Sequence, residues 1–299
     1  MRCWVAPIRI QPDGTQTDRN CDTTESDAAQ SCTERTGCLP QLTLRAEKAG
    51  SLCDGSLTAI AHRRCGFKSR PSLHIKTERG YLELRIIRAG FEVMRPQNMD
   101  DTSRKAIYSA IEHAGRVCYK TEYNISEESA DDFCRKLIER GHEAMLEHAS
   151  ITVRFIVDRG ISHEIVRHRV ASFAQESTRY CNYSKDQFNG EITVIEPCFF
   201  GKGTSSYEIW KSTCEACEKA YFDLLNIGEL PQNARDVLPT STKTEVVMTA
   251  NIREWRHFFR LRAIGTTGTP HPQMREVVLP LMRTLAGFLP ALFGDLMEV

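Results

Sequence analysis

Apolar and polar positions fall into a readable rhythm only from about residue 82 onward. Upstream, residues 1–83 are rich in Thr, Asp, Ser, Gly and Arg. Their short apolar fragments never settle into the spacing of a helix or a strand, which predicts a low-order extension rather than a domain. Leu82 to Ile87 then alternates as a strand does. Asp101-Thr102 can cap a helix through Ala106, Ile107, Ala110, Ile111 and Ala114, and Ser126 can cap another through Phe133, Leu137 and Ile138 that stops at Gly141. Ile151, Val153, Phe155 and Val157 alternate with Thr152 and Arg154 in a half-buried strand. Asp158-Arg159-Gly160 turns that strand into a helix over 161–169. A short strand over 192–195, a long helix from about Ser206 to Asn226, and a short helix started by Pro231 come next. Glu245 to Thr249 reads as a strand, and Asn251 with Glu254 forms a capping box for a helix to Arg262. A loop over 265–272 leads to a C-terminal helix. Strands and helices alternate too irregularly for a doubly wound sheet, so the predicted class is α+β.

Composition narrows the function classes. The 299 residues carry 39 Lys+Arg against 39 Asp+Glu, so nothing in the net charge draws the chain to nucleic acid or to a membrane surface, and any anion site has to be local. No apolar run reaches a membrane span, and Pro7 breaks the first apolar stretch before a signal core could form. A cytoplasmic location is expected. The 12 cysteines lack the spacing of a metal framework; Cys214 and Cys217 form a C-x-x-C, but beside Trp210, Tyr221 and Leu224 at helical spacing they read as packing.

Within this balanced chain one segment is dense in cations. Arg167-His168-Arg169 is followed by Ser172, Ser177 and Arg179 with few acids nearby. Guanidinium forks with hydroxyls suit a phosphate or carboxylate brought from outside, although a solvated basic face is the plainer account of the triplet alone. If the triplet is helical, Arg167 and Arg169 lie two steps of about 100° apart and serve different partners. On the helix that follows Asn251, Ile252, Trp255 and Phe259 share a stripe with Arg262, which needs either an inward partner or the helix C-terminal dipole. Arg253, His257 and Arg260 form a second, polar stripe. His142, Glu147 and His148 lack zincin spacing, so no metal is expected, and no glycine-rich phosphate loop occurs.

Arg167-His168-Arg169, seven residues, then Ser177 resembles the signature of the flavin-dependent thymidylate synthases. So do Arg85 to Ile87, Gly115 to Lys120, the segment His142 to His148, and the stretch from Lys243-Thr244-Glu245 through Asn251 to Arg262. The resemblance spans about residues 84–299, which sets an expected domain boundary at 83/84. It implies a mixed or antiparallel sheet flanked by helices, and a homotetramer whose active sites are shared between subunits. The implied reaction converts dUMP to dTMP with 5,10-methylenetetrahydrofolate as carbon donor, FAD as redox carrier and NADPH as reductant.

Position by position, the resemblance assigns Glu164, Arg167, Gln175, Ser177, Arg179, Arg235 and Arg262 to dUMP, with Arg262 as the catalytic cation. It assigns Cys118, His142, Ala144, Arg167, His168, Arg169, Val170, Gln175, Asn251, Arg253 and His257 to FAD. This chain departs from the usual family pattern at Ala144, Glu164, Ala174, Gln175 and His257, where Thr, Gln, Asn, Glu and Asn are common. Residues 1–83 have no counterpart in the usual family architecture. No methionine lies between Met1 and Met94, so a non-AUG start near Leu84 and a genuine tail are the two accounts of that segment.

Overall fold

The computed structural model of the chain describes residues 84–298; the expected extension over 1–83 lies outside the described residues. Strand β1 (Arg85–Ile87) is followed by β2 (Gly90–Arg95), helices α1 (Asp101–Val117) and α2 (Ser129–Glu139), strand β3 (Ser150–Asp158), helix α3 (Arg159–Ile165) and strand β4 (Ala171–Gln175). Then come β5 (Thr193–Ile195), α4 (Ser205–Asn226), α5 (Pro231–Ala234), β6 (Lys243–Asn251), α6 (Ile252–Phe259), α7 (Pro272–Phe288) and α8 (Pro290–Phe293). The main sheet has the order β2-β3-β6-β4 and is antiparallel throughout, while β1 and β5 form a parallel pair. This is the α+β class that the patterning predicts. Among the described residues no helix is long and apolar enough to cross a membrane.

Alternation explains the centre of the sheet. Ile151, Val153, Phe155 and Val157 of β3 and Val246, Met248 and Ala250 of β6 are buried on one face, against Trp255, Phe258 and Phe259 of α6 and Val277, Val278 and Leu281 of α7. The indole N–H of Trp255 donates to the Ile151 carbonyl at 3.1 Å, fixing α6 on the strand it covers. A second cluster contains Leu84, Tyr183, Val194, Tyr221 and Cys214. Cys214 and Cys217 are free thiols, and Cys214 is packed in that cluster, as helical spacing predicts.

Several boundaries move from their sequence expectations. The carboxylate that caps α1 is Asp100, accepting from the Ser103 N–H at 2.8 Å. Ser126 does not cap α2. Instead Ser129 accepts from the Ser126 N–H and donates to Glu112, a buried acid of α1, tying the two helices together. Helix α3 ends at Ile165 rather than Arg169. Strands β2 and β4 were not anticipated; both are sheet edges, and β4 exposes Ser172 and Ala174 in alternation with half-buried Ala171, Phe173 and Gln175.

The C-terminus is locked to α6 by a buried arginine. Arg256, 1% exposed, donates to both Asp295 carboxylate oxygens at 2.7 Å each and to the Leu292 carbonyl. Removing Asp295 takes away two hydrogen bonds of a buried guanidinium and leaves it Glu143, at 3.4 Å, as its one acid among the described residues. Asp295→Ala is therefore expected to cost about 3 kcal/mol of unfolding free energy in a urea titration; a loss below about 0.5 kcal/mol would be the value of an ordinary surface substitution and would contradict this role.

Candidate active site

The site grows from one pairing. β3 and β6 run antiparallel in register over nine residues, from Ser150 opposite Asn251 to Asp158 opposite Lys243. Each strand passes directly into a helix whose first turn is capped by its last residue. Asp158 accepts from the Ile161 N–H and Asn251 from the Glu254 N–H, both at 2.8 Å. Because the strands are antiparallel, the two helices start at opposite ends of the sheet and their later residues meet.

At the meeting point stands Arg262. The last turn of α6 widens into a π-helical turn over Arg260–Ile264, closed by Gly265 at φ 87° with its N–H on the Arg260 carbonyl at 2.9 Å. A Cβ on Gly265 would sit 2.8 Å from the Pro270 ring and 2.9 Å from the Gly268 carbonyl, so this corner requires glycine. Arg262 Nη1 donates to Glu164 Oε2 at 2.9 Å, Nη2 to the Glu164 carbonyl at 3.2 Å, and Nε to His168 Nε2 at 3.2 Å. The partner that an inward arginine needs is thus Glu164 with His168, not the helix dipole. Glu164 and Arg262 line a cleft of about 500 Å³, completed by Leu261 and the loop from Thr267 to His271.

His168 is buried, with its Nδ1 3.1 Å from Glu254 Oε1. A guanidinium Nε only donates, so His168 Nε2 is the acceptor and the ring proton sits on Nδ1, which donates to Glu254. Phe258 packs edge-on against the imidazole, with ring centres 4.7 Å apart. Burial, reinforced by the Arg262 and His257 charges, lowers the His168 pKa to about 4, so the ring is neutral near pH 7. Burial also pushes the Glu254 carboxyl up. His168, Glu254 and His257 place potential metal-ligand atoms within 4.8 Å of one another. The permanent charge of Arg262 on His168 opposes a cation there.

Two groups hold several of the remaining candidates. Arg179 Nε donates to Gln232 at 3.3 Å and Arg235 reaches Thr178 at 3.5 Å, so α5 carries Arg235 to the Ser177–Arg179 segment within the same chain. Beside α6, a 3₁₀ turn over Glu143–His148, which His142 precedes and Ala144 belongs to, brings Glu147 to Arg253 at 2.6 Å. Glu143 receives Arg260 at 3.0 Å and Arg256 at 3.4 Å. Although burial acts to raise its pKa, these two guanidiniums hold it below the usual carboxylate range. Gly115 lets α1 pack closely on α2, since a Cβ there would come within 2.7 Å of Phe133, while Met145 of the 3₁₀ turn lies at an ordinary 3.5 Å. Cys118, exposed, is the C-terminal cap of α1. Gln175 donates to Ser162 at 2.9 Å and Thr244 at 3.3 Å, its amide already committed inside the chain.

Arg167 and Arg169 follow the end of α3, so the opposite-faces argument, which assumed a helix, does not apply to them. Both are exposed, and neither has an ion-pair partner among the described residues. Val170 beside them is 65% exposed and Tyr180 is 76% exposed.

The family model described as thymidylate synthase complementing protein matches residues 102–291. The chain belongs to this enzyme family, the flavin-dependent thymidylate synthases. The family member of Geobacter sulfurreducens named flavin-dependent thymidylate synthase is 31% identical over 198 residues, which is 62% of this chain and 81% of that protein. Its namesake in Corynebacterium glutamicum is 32% identical over 203 residues, covering 62% and 78%. That of Pyrococcus furiosus is 37% identical over 165 residues, covering 54% and 65%. A crystal structure of the UMP/dUMP methylase PolB from Streptomyces cacaoi bound with 5-Br dUMP shares the fold, with a TM-score of 0.57, 22% identity and coverage of 72% of this chain and 97% of that one.

Two acids of this family member were not read as site residues from sequence. Glu143 gathers three arginines of the α6 segment, Arg260 and Arg256 closely and Arg253 at 3.9 Å. Glu254 appeared only as half of a capping box, yet its side chain turns to His168 and only its N–H serves the cap. The available signal was its place four residues before Phe258, on the helix face that packs inward.

The neutral His168 carries a pH signature. Its folded pKa lies below the ordinary value of 6.5, so the unfolded chain binds the proton more readily. Its contribution to stability is fully present above about pH 6.5 and is lost as pH falls toward about 4, for a total of roughly 3 kcal/mol. Urea titrations of wild type and His168→Gln between pH 4 and 7 are expected to show a steeper acid loss in wild type. Parallel curves would contradict a buried neutral imidazole.

Proposed function

We propose that this chain makes dTMP by reductive methylation of dUMP, using 5,10-methylenetetrahydrofolate as carbon donor, FAD as redox carrier and NADPH as reductant, in the cytoplasm. The observation that carries the reading is Arg262, held at the wall of a cleft by Glu164 and His168 in a chain of this family. Carbon 5 of uracil becomes nucleophilic only when electron density moves into the ring. A cation fixed at the pyrimidine edge stabilises the negative charge that then develops on the ring. A guanidinium already oriented by three hydrogen bonds requires little reorganisation when the charge appears.

The other dUMP contacts follow by charge and reach. Ser177, Arg179 and Arg235 offer hydroxyl and guanidinium donors suited to the 5′-phosphate. Arg167 contributes beside them, and Glu164 and Gln175 line the base side. Ser177 has no general base in its motif, so it binds rather than attacks.

The residues present also fit a flavin dinucleotide. Arg167 and Arg169 are exposed guanidiniums with no ion-pair partner among the described residues, a donor set for a pyrophosphate. Arg253, His142, Ala144, Asn251, His257, Cys118 and Val170 would complete the binding surface. When bound, the flavin supplies the two reducing equivalents that turn the transferred carbon into a methyl group. Loss of the carbon 5 hydrogen as a proton balances the new carbon–carbon bond. Exposed Val170 and Tyr180 flank the arginine segment, apolar surface that a neighbouring subunit of a homotetramer would cover.

The test is tritium release from dUMP labelled at carbon 5, with folate donor, FAD and NADPH present. Purified protein is expected to be yellow and to release tritium, and Arg262→Ala to lose at least about 100-fold in rate while retaining its circular dichroism. Absence of release with all co-substrates supplied would refute the assignment.

A further inference from the structure

Arg262 carries five N–H donors, and three of them are used within the chain: Nε on His168, Nη1 and Nη2 on Glu164. Two remain for a ligand in the cleft that Arg262 lines. Which way those two point depends on whether the Nε contact is made. That contact exists only while His168 Nε2 has a free lone pair, and so only while the ring proton stays on Nδ1. A histidine tautomer is set by the hydrogen bond that the other ring nitrogen makes. Here that partner is Glu254, buried at 9% exposure with its Oε1 3.1 Å from Nδ1. Phe258 packed edge-on at 4.7 Å, and His257 with its ring centre 5.8 Å away, confine the imidazole.

We propose that Glu254 is a positioning residue for dUMP: through His168 it fixes the turn of the Arg262 guanidinium and so aims the two uncommitted donors at the pyrimidine. Glu254 touches neither the cleft nor Arg262. It acts by accepting the Nδ1 proton, a task that a carboxylate, a carboxylic acid carbonyl or an amide oxygen can perform. With Glu254 gone, the ring is free to place its proton on Nε2, where it meets the Arg262 Nε–H donor to donor. The guanidinium then has to swing away, and only Glu164 still holds it. The same chain of bonds explains why α6 tolerates an acid on its inward face.

This inference rests on the proposed dUMP site, and the experiment separates the two. Calorimetric titration of dUMP into the full-length, flavin-loaded protein is compared for wild type, Glu254→Ala, Glu254→Gln, Arg262→Ala and the double variant Glu254→Ala/Arg262→Ala. Glu254→Ala is expected to weaken dUMP binding about tenfold, Glu254→Gln to restore most of it through its amide oxygen, and Glu254→Ala to add nothing once Arg262 is absent. Nitrogen-15 spectra of wild type labelled in its histidine rings, with the His168 signals assigned by His168→Gln, are expected to show the proton on Nδ1. That readout needs no variant to fold into active enzyme. A proton on Nε2, equal losses from Glu254→Ala with and without Arg262, or failure of Glu254→Gln to recover binding would each overturn the inference while leaving the dUMP site standing. A wild type that binds no dUMP would sink the dUMP reading and this inference with it.

Discussion

The register between β3 and β6 is the constraint on which the site depends. Ser150 opposite Asn251 and Asp158 opposite Lys243 join segments about a hundred residues apart in sequence. A slip of one residue would turn Ile151, Val153, Phe155 and Val157 out of the core and leave the α6 aromatics without a surface to cover. It would also displace both caps, Asp158 and Asn251, from which α3 and α6 take their starting points. Glu164 and His168 come from the first helix and its exit, Glu254 and Arg262 from the second. Core packing and site assembly are thus one event, and Trp255, bonded to the Ile151 carbonyl, belongs to both.

Around α6 the arginines and the buried imidazole each have a defined partner. Arg256 takes Asp295, Arg260 takes Glu143 and Arg253 takes Glu147, while His168 is shared between Glu254 and Arg262. The consequence for function lies in what is left over. Among the described residues no acid pairs with the exposed Arg167 and Arg169, and Arg262 keeps two donors beside a cleft. In the proposed reading Arg167 and Arg169 serve phosphates, and Arg262, although paired with Glu164, turns its remaining donors to the pyrimidine.

Much of this was legible in the sequence where periodicity and chemistry agree. β3 alternates cleanly because one face is buried, Asn251 caps α6 as its spacing from Glu254 suggests, and Pro231 opens α5. Arg262 stood out because an arginine occupied an apolar stripe. The misses have separate physical causes. β2 and β4 are edge strands with weak apolar contrast, so periodicity marked neither. The end of helix α3 at Ile165 carries no sequence signal, since no glycine or proline marks it. The π-helical turn at Arg260–Ile264 changes the helical period, and a stripe drawn at 3.6 residues per turn drifts there. Glu254 was hidden because a capping glutamate explains itself locally, while its side chain answers to a histidine 86 residues away.

The account centres on a guanidinium oriented before substrate arrives. A crystal structure of the full chain with FAD and dUMP tests this most directly. It is expected to show the pyrimidine edge within hydrogen-bond distance of Arg262, with the Glu164 and His168 contacts to that side chain still in place. A dUMP bound elsewhere, or an Arg262 that leaves both partners to reach it, would contradict the account.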